Sequence, residues 1–228
     1  MKKIFKISIS IMCLAMVGVM AFFFTSCAFD TEGKVKAAMS EECRVFFEGE
    51  NHNFKATLEC GMREEPYEFN GKSETKQEFG VIKVTFKAEY NDSKAGFILM
   101  NNNGENKIGE LEENPFDGSY MADVEIVFSE DAEIAIDVCG EVVPLVCKSK
   151  DFEINYEEAI KIAVTQLDEK LGTYMNATGL DAECYLKVIN NQKNGFEDYF
   201  WYFSIYGKDG KTHSCVINVV TGEVLSSR

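Results

Sequence analysis

The sequence predicts a two-part fold, in which an all-β sandwich domain is followed by a small α+β domain. Between about residues 42 and 150, short runs alternate apolar and polar residues and are separated by turn formers. A single helix-length pattern then begins near residue 156, and three more strand-like runs follow it. These observations divide the chain into a signal helix (1–26), a tether (27–41), a β domain (42–150) and an α+β domain (151–228).

The middle region shows the alternation of a sheet with one solvated face. In the run 81–88, apolar Ile82, Val84 and Phe86 alternate with polar residues such as Lys83 and Thr85. The other strand-length runs are 43–47, 54–59, 96–100, 122–128 and 133–146. About seven short strands in a segment of this size are typical of an immunoglobulin-like sandwich. That architecture is the prediction for residues 42–150.

The C-terminal region predicts one helix over a small antiparallel sheet. Asn155 is followed three residues later by Glu158, the capping-box arrangement that begins a helix. Ala159, Ile160 and Ala163 recur at helical spacing, and strand patterns follow at 182–189, 199–206 and 212–219. We expect Trp201, on the second of these strands, to lie in the core under the helix.

Residues 153–228 resemble a PepSY domain. The resemblance rests on Glu158 and Ala159 at the helix start, the aromatic strand at 201–205, the turn at 208–210 and the closing Thr-Gly-Glu at 221–223. PepSY domains occur in propeptides of secreted metallopeptidases and in exported or lipid-anchored bacterial proteins, where they are proposed to restrain peptidases. The resemblance therefore implies protein binding without catalysis.

The N-terminus has the layout of an export signal. Lys2, Lys3 and Lys6 precede an apolar run over residues 7–24. Residues 24–27, Phe-Thr-Ser-Cys, resemble a bacterial lipobox, which implies that Cys27 is lipid-modified, with palmitate among its acyl groups, and begins the mature chain. A plain cleavage site or an uncleaved anchor is the alternative, because the run just reaches membrane-spanning length. Each alternative places the rest of the chain on the extracytoplasmic side of the cell membrane.

The charge excludes one class of function and indicates another. The chain has 38 acidic and 23 basic residues, for a net charge of −15, which repels nucleic acids. Removal of residues 1–26 takes away three lysines and no acids, leaving −18. Residues 27–150 hold 26 acids against 13 bases, and residues 151–228 hold 12 against 7. We therefore expect a cationic partner to meet the β region first.

The cysteines beyond Cys27 offer no predicted metal or redox site. They form no CxxC pair, and the chain has two histidines, so we predict neither metal nor cofactor. A four-residue hairpin loop at 50–53 would place Cys43 opposite Cys60, which makes this pair a candidate disulfide, with two buried thiols as the alternative. The same alternatives apply to Cys184 and Cys215. A turn at 140–141 places Cys147 opposite residue 134, so we do not expect a bridge to Cys139.

No known set of catalytic residues appears in the chain. There is no GxSxG elbow, no HExxH pair and no glycine-rich phosphate loop after a strand. The sequence thus predicts a non-catalytic, membrane-anchored extracytoplasmic lipoprotein that acts by binding protein, such as a secreted peptidase or an envelope protein. A module that binds a small ligand or an envelope polymer is the alternative, and a carboxylate-dependent hydrolase is the second alternative.

Overall fold

The computed structural model describes residues 30–69, 75–102, 104, 106–190 and 199–228. These residues form a mostly-β protein with three short helices. The predicted signal helix and the candidate lipidation residue Cys27 lie outside the described residues. Within the described part of the chain, no helix is both long enough and apolar enough to cross a membrane.

The strands of the described residues join into one sheet. In chain order they are β1 (Met39–Glu50), β2 (Phe54–Glu64), β3 (Lys76–Phe86), β4 (Lys94–Asn101), β5 (Asn106–Glu113), β6 (Tyr120–Val124), β7 (Ile134–Val138), β8 (Glu141–Cys147), β9 (Ala182–Asn190), β10 (Tyr199–Gly207), β11 (Thr212–Asn218) and β12 (Val224–Ser227). The helices are α1 (Thr31–Ala37), α2 (Tyr156–Gln166) and α3 (Asp168–Tyr174).

The first eight strands form a closed antiparallel barrel, so the predicted sandwich is wrong. Their order is β1-β2-β3-β6-β5-β4-β7-β8, and β8 returns to pair with β1 at Phe47–Cys147 and Glu48–Val146. Alternation along a strand fixes which side chains face inward. It does not distinguish two packed sheets from one sheet that closes on itself, and here the β1–β8 pairing closes it.

Side chains from all eight strands fill the interior of the barrel. The largest of them that are fully buried include Phe47, Phe54, Leu58, Ile82 and Leu99. An eight-stranded barrel is just wide enough for its own side chains to fill it. The interior is therefore a core, and the concave surfaces of the molecule lie outside it.

The last four strands extend the sheet of the barrel, so the prediction of a self-contained α+β domain is also wrong. β9 pairs in parallel with β1 at Met39–Glu42, and β10, β11 and β12 continue outward. Helices α1, α2 and α3 contribute Val35, Ile160 and Leu171 to the core on one face of this extension. The sequence pattern identified the helix and strands of this region, but it did not indicate that β9 pairs with β1 of the barrel.

Strand β1 belongs to both regions. Its first half pairs with β9, its second half pairs with β8, and β2 lies along its other edge. The pairing with β2 shifts by one residue between Cys43 and Val45, leaving Arg44 as a bulge. A Cβ at Gly61 would lie 1.9 Å from the carbonyl oxygen of Glu42, so only glycine fits beside this bulge. We call the place where β8 and β9 diverge from β1 the fork.

Two local predictions can be compared directly with the structure. The predicted helix start is confirmed. The Asn155 side chain accepts a hydrogen bond from the backbone amide of Glu158, and the Glu158 side chain accepts one from the backbone amide of Asn155. Within the predicted tether, residues 31–37 form α1, and Val35 is fully buried. The tether segment thus contributes to the core of the extension.

Candidate functional site

A groove lies at the fork, on the outer wall of the barrel. Its volume is about 400 Å³. Its lining comes from four strands: Phe46 and Glu48 of β1; Lys55, Thr57 and Glu59 of β2; Lys83 and Thr85 of β3; and residues 187–190 of β9. The outward-facing residues of β1, β2 and β3 form its floor, and the end of β9 forms one wall. We refer to it as the fork groove.

Glu48 is held in place at one end of the fork groove. Its carboxylate pairs with Lys55 Nζ at 2.5 Å and accepts a hydrogen bond from Tyr199 Oη at 2.9 Å. Asn190 Nδ2 also donates to Glu48 Oε2, at 3.3 Å. These partners come from β2, β10 and β9, so Glu48 ties the barrel to the extension. Its charge is already compensated.

The other two lysines of the fork groove are also paired. Lys187 Nζ lies 2.9 Å from Glu41 Oε1, and Lys83 Nζ lies 2.7 Å from Asp117 Oδ2. Burial opposes the charge of Lys187, but its pairing with Glu41 raises the lysine pKa. The hydrogen bond from Lys83 is the main reason that the pKa of Asp117 falls to about 2. Each lysine in the groove therefore has its own carboxylate.

Glu59 is the exception in the fork groove. It is half-buried and, within the described residues, makes no hydrogen bond or ion pair. Burial raises the pKa of Glu59 to about 7, against a weaker opposing effect of Lys187. A partly buried carboxylate that makes no ion pair has lost hydration without compensation. Glu59 is therefore the group in the groove that would gain most from a bound countercharge.

A second concave surface lies near the start of α2. Its volume is about 520 Å³, and its lining includes Arg44, Phe128, Tyr156 and Trp201. The Arg44 guanidinium lies 5.4 Å from the centre of the Tyr156 ring, and Arg44 Nε pairs with Glu42 at 2.9 Å. The charge of Arg44 is thus balanced by its neighbours, in contrast to that of Glu59.

A buried acidic pair connects the start of β1 to β2 and β9. Glu183 is fully buried and accepts a hydrogen bond from Ser40 Oγ, and Glu64 is also buried. Burial, and then the neighbouring charge of Glu183, raises the pKa of Glu64. Within the described residues, Glu64 Oε2 has no hydrogen-bond partner. This pair is enclosed by protein, so it is not an open binding surface.

All six cysteines in the described residues are free thiols. Cys43 lies opposite Gly61, and Cys60 lies opposite Val45. The predicted register is wrong, because the turn between β1 and β2 has two residues instead of four. Asn51 Oδ1 accepts hydrogen bonds from the backbone amides of Asn53 and Phe54 in this turn.

The remaining thiols are also separated. Cys184 and Cys215 are both buried, with β10 between their strands. Cys147 lies opposite Phe47 of β1 instead of residue 134.

The candidate functional residues that sequence reasoning missed are the groove residues, and Glu59 above all. The pattern of β2 places Lys55, Thr57 and Glu59 on one solvated face, but it does not reveal that the end of β9 forms a wall beside that face. Trp201, in contrast, is buried as predicted, and its Nε1 donates to the carbonyl oxygen of Ile154 at 2.7 Å. Among the described residues, no three histidine, cysteine or acidic side chains are grouped so that they could hold a metal ion.

The fold and the fork groove define the class only as a mostly-β protein with a closed eight-stranded antiparallel barrel and a sheet extension. Comparison with models of known protein families, with curated proteins and with solved structures gives no significant match.

Proposed function

We propose that this chain is a non-catalytic, lipid-anchored protein of the extracytoplasmic side of the cell membrane, and that it binds another protein in the fork groove. The observation that carries the proposal is the groove itself. It is concave, lies at the junction of two regions, and brings polar side chains from β1, β2, β3 and β9 together. The lipobox-like residues 24–27 support the anchor, and the strongly acidic mature chain favours a basic partner.

Site-specific photo-crosslinking tests where the partner binds. A benzoylphenylalanine at position 85 lies in the fork groove, and the same residue at position 107, an exposed position on β5, is the matched control. We expect one envelope or secreted protein to be crosslinked from position 85 and not from position 107. Equal crosslinking at the two positions, or none at position 85, would contradict the proposal.

The PepSY resemblance favours a secreted peptidase as the bound protein. The test uses the whole chain in detergent, since β9 pairs with β1 and residues 151–228 share their sheet with the barrel. Added protein is expected to slow cleavage of a peptide substrate by the crosslinked peptidase. A Thr57→Arg variant, which adds a bulky cation to the groove, should lose this effect.

The anchor has its own test. Radiolabelled palmitate should be incorporated into the wild-type protein and not into the Cys27→Ala variant. Mass spectrometry of the mature N-terminus gives the same answer without a variant, because lipidation changes the mass of the first residue. An unmodified Cys27 would remove the anchor from the proposal and leave the binding function standing.

A second candidate function is the binding of a small ligand or an envelope polymer. The volume of the fork groove, about 400 Å³, favours it, because small-molecule sites commonly measure about 300–1,000 Å³. The crosslinking experiment separates the two candidates. A product at position 85 that resists protease but is removed by glycan-degrading enzymes supports the polymer.

A further inference from the structure

We propose that Glu59 is the anchoring residue of the fork groove, and that it pairs with a basic side chain, lysine or arginine, of the bound protein. This inference rests on the proposed function and adds the chemistry by which the groove would recognise its partner. It follows from the way charge is distributed along the lining.

The groove contains one acid, Glu59, that makes no ion pair, although the charges of Lys187 and Lys83 act on it from a distance. Lys55 is paired with Glu48, Lys187 with Glu41 and Lys83 with Asp117, at distances between 2.5 and 2.9 Å. An anionic ligand would have to break one of these pairs to reach a lysine. A cationic group can reach Glu59 without breaking an ion pair, because the two lysines whose charges act on Glu59, Lys187 and Lys83, are bound to Glu41 and Asp117.

Burial strengthens the case for a cation. A half-buried carboxylate loses part of its hydration, and an ammonium or guanidinium group that enters the groove restores favourable interactions. The long methylene stem of a basic residue also needs apolar surface beside its charged end. Ile189, which is 38% exposed, supplies such surface in the wall of the same groove.

Protons compete with the basic side chain for Glu59. The titratable groups that face Glu59 are Glu41 and Cys43 from β1, Lys187 from β9 and Lys83 from β3. Burial is the largest cause of the raised Glu59 pKa of about 7, so the carboxylate is mostly ionised at pH 8 and mostly protonated at pH 6. Binding of a cation should therefore weaken as the pH falls through 7.

The test measures binding of short peptides to the full chain in detergent by fluorescence anisotropy. The probes are fluorescein-labelled Ala-X-Ala peptides with lysine, arginine or norleucine at X. The variant is Glu59→Gln, and its matched control is Glu78→Gln, which removes an exposed acid from neighbouring β3 outside the fork groove.

We expect Glu59→Gln to weaken the better basic peptide at least tenfold at pH 8, and Glu78→Gln to weaken it twofold or less. The norleucine peptide should bind wild type no better than the basic peptide binds Glu59→Gln. Between pH 8 and pH 6, wild type should lose about tenfold in affinity while Glu59→Gln loses little, since one pH unit below the Glu59 pKa leaves about a tenth of the carboxylate ionised.

Three results would overturn the inference: no binding of either basic peptide to wild type, equal weakening by the two variants, or a pH dependence that Glu59→Gln retains. The crosslinking experiment keeps this failure distinct from failure of the proposed function. If position 85 still captures a protein in the Glu59→Gln background with unchanged yield, the groove binds protein but not through Glu59. If position 85 captures nothing in wild type, the binding function itself is wrong.

Discussion

The barrel and the extension share β1, but only the barrel closes its sheet. Every barrel strand has a partner on both sides, and the barrel side chains bury one another. The extension instead ends at β12 and needs α1, α2 and α3 to cover one face of its strands. Its other face carries half-exposed aromatic side chains such as Tyr206, which packs edge-on against Phe69 at 5.4 Å.

This difference shows how one long strand can support two kinds of core. The added strands continue the sheet along the part of β1 that β8 does not reach, where the edge of β1 is free to pair with β9. The added sheet then requires helices, because its inner face would otherwise expose its apolar residues to water. The fork groove is the concave surface between the closed barrel and the helix-covered extension.

The largest predicted loss of stability affects the core of the extension much more than the core of the barrel. Trp201→Ala should destabilise the extension by about 4 kcal/mol, because it removes the largest fully buried side chain and its hydrogen bond to Ile154. Hydrogen exchange should show lost protection in β10 and β11, with much smaller changes in β3 and β4.

Trp201→Phe serves as the control, since it keeps an aromatic ring in the core and should cost less. If Trp201→Ala removes protection from barrel and extension equally, the two regions unfold as one unit through β1. The barrel and the extension would then differ in architecture but not in stability.

A smaller effect is expected on the barrel wall, and it depends on pH. The Glu59 pKa is raised in the folded protein from 4.5 to about 7. Ionisation of Glu59 therefore lowers the free energy of unfolding as the pH rises through that range. Glu59→Gln should therefore raise the free energy of unfolding by about 1 kcal/mol at pH 8, a figure reduced because the side chain is partly exposed.

Urea denaturation at pH 8 and pH 5 checks this prediction, with Glu78→Gln as the control. At pH 5, where Glu59 is protonated in the folded state, we expect Glu59→Gln to raise the free energy of unfolding only a little. A gain of similar size at both pH values would show that the packing of the new amide, and not the removal of a buried charge, is responsible.

The mildest change concerns the helix that covers the extension. Asn155→Ala removes the side-chain acceptor of the capping box and should lower stability by about 1 kcal/mol. Thermal unfolding followed by circular dichroism provides the measurement. Asn155→Ser retains a capping oxygen and should stay close to wild type, whereas equal losses in both variants would assign the effect to something other than the cap.

Features that depend on neighbouring residues could be predicted from the sequence, and features that depend on distant pairing could not. The start of α2 follows from Asn155 and Glu158, which are three residues apart. Closure of the barrel depends on Phe47 meeting Cys147, and no local pattern records that contact. β5 was missed because its run is mostly polar and exposed, with Leu111 as its buried residue.

The same limit applies to the fork groove. Lys55, Thr57 and Glu59 can be placed on one face of β2 from their alternation alone. Their meeting with Lys187 depends on the parallel pairing of β9 with β1, across about 140 residues of chain. The sequence therefore indicated an acidic β region that could meet a cationic partner, but not the residue that would bind it.

The sharing of β1 has a consequence for how the sequence can vary over evolution. An insertion or deletion in most strands disturbs one core, but in β1 it would move side chains such as Cys43 and Phe47 out of two cores at once. The bulge at Arg44 already uses the one-residue offset that lets both halves pair with β2. We expect related chains to vary in length at the β12 edge and to keep the length of β1 constant.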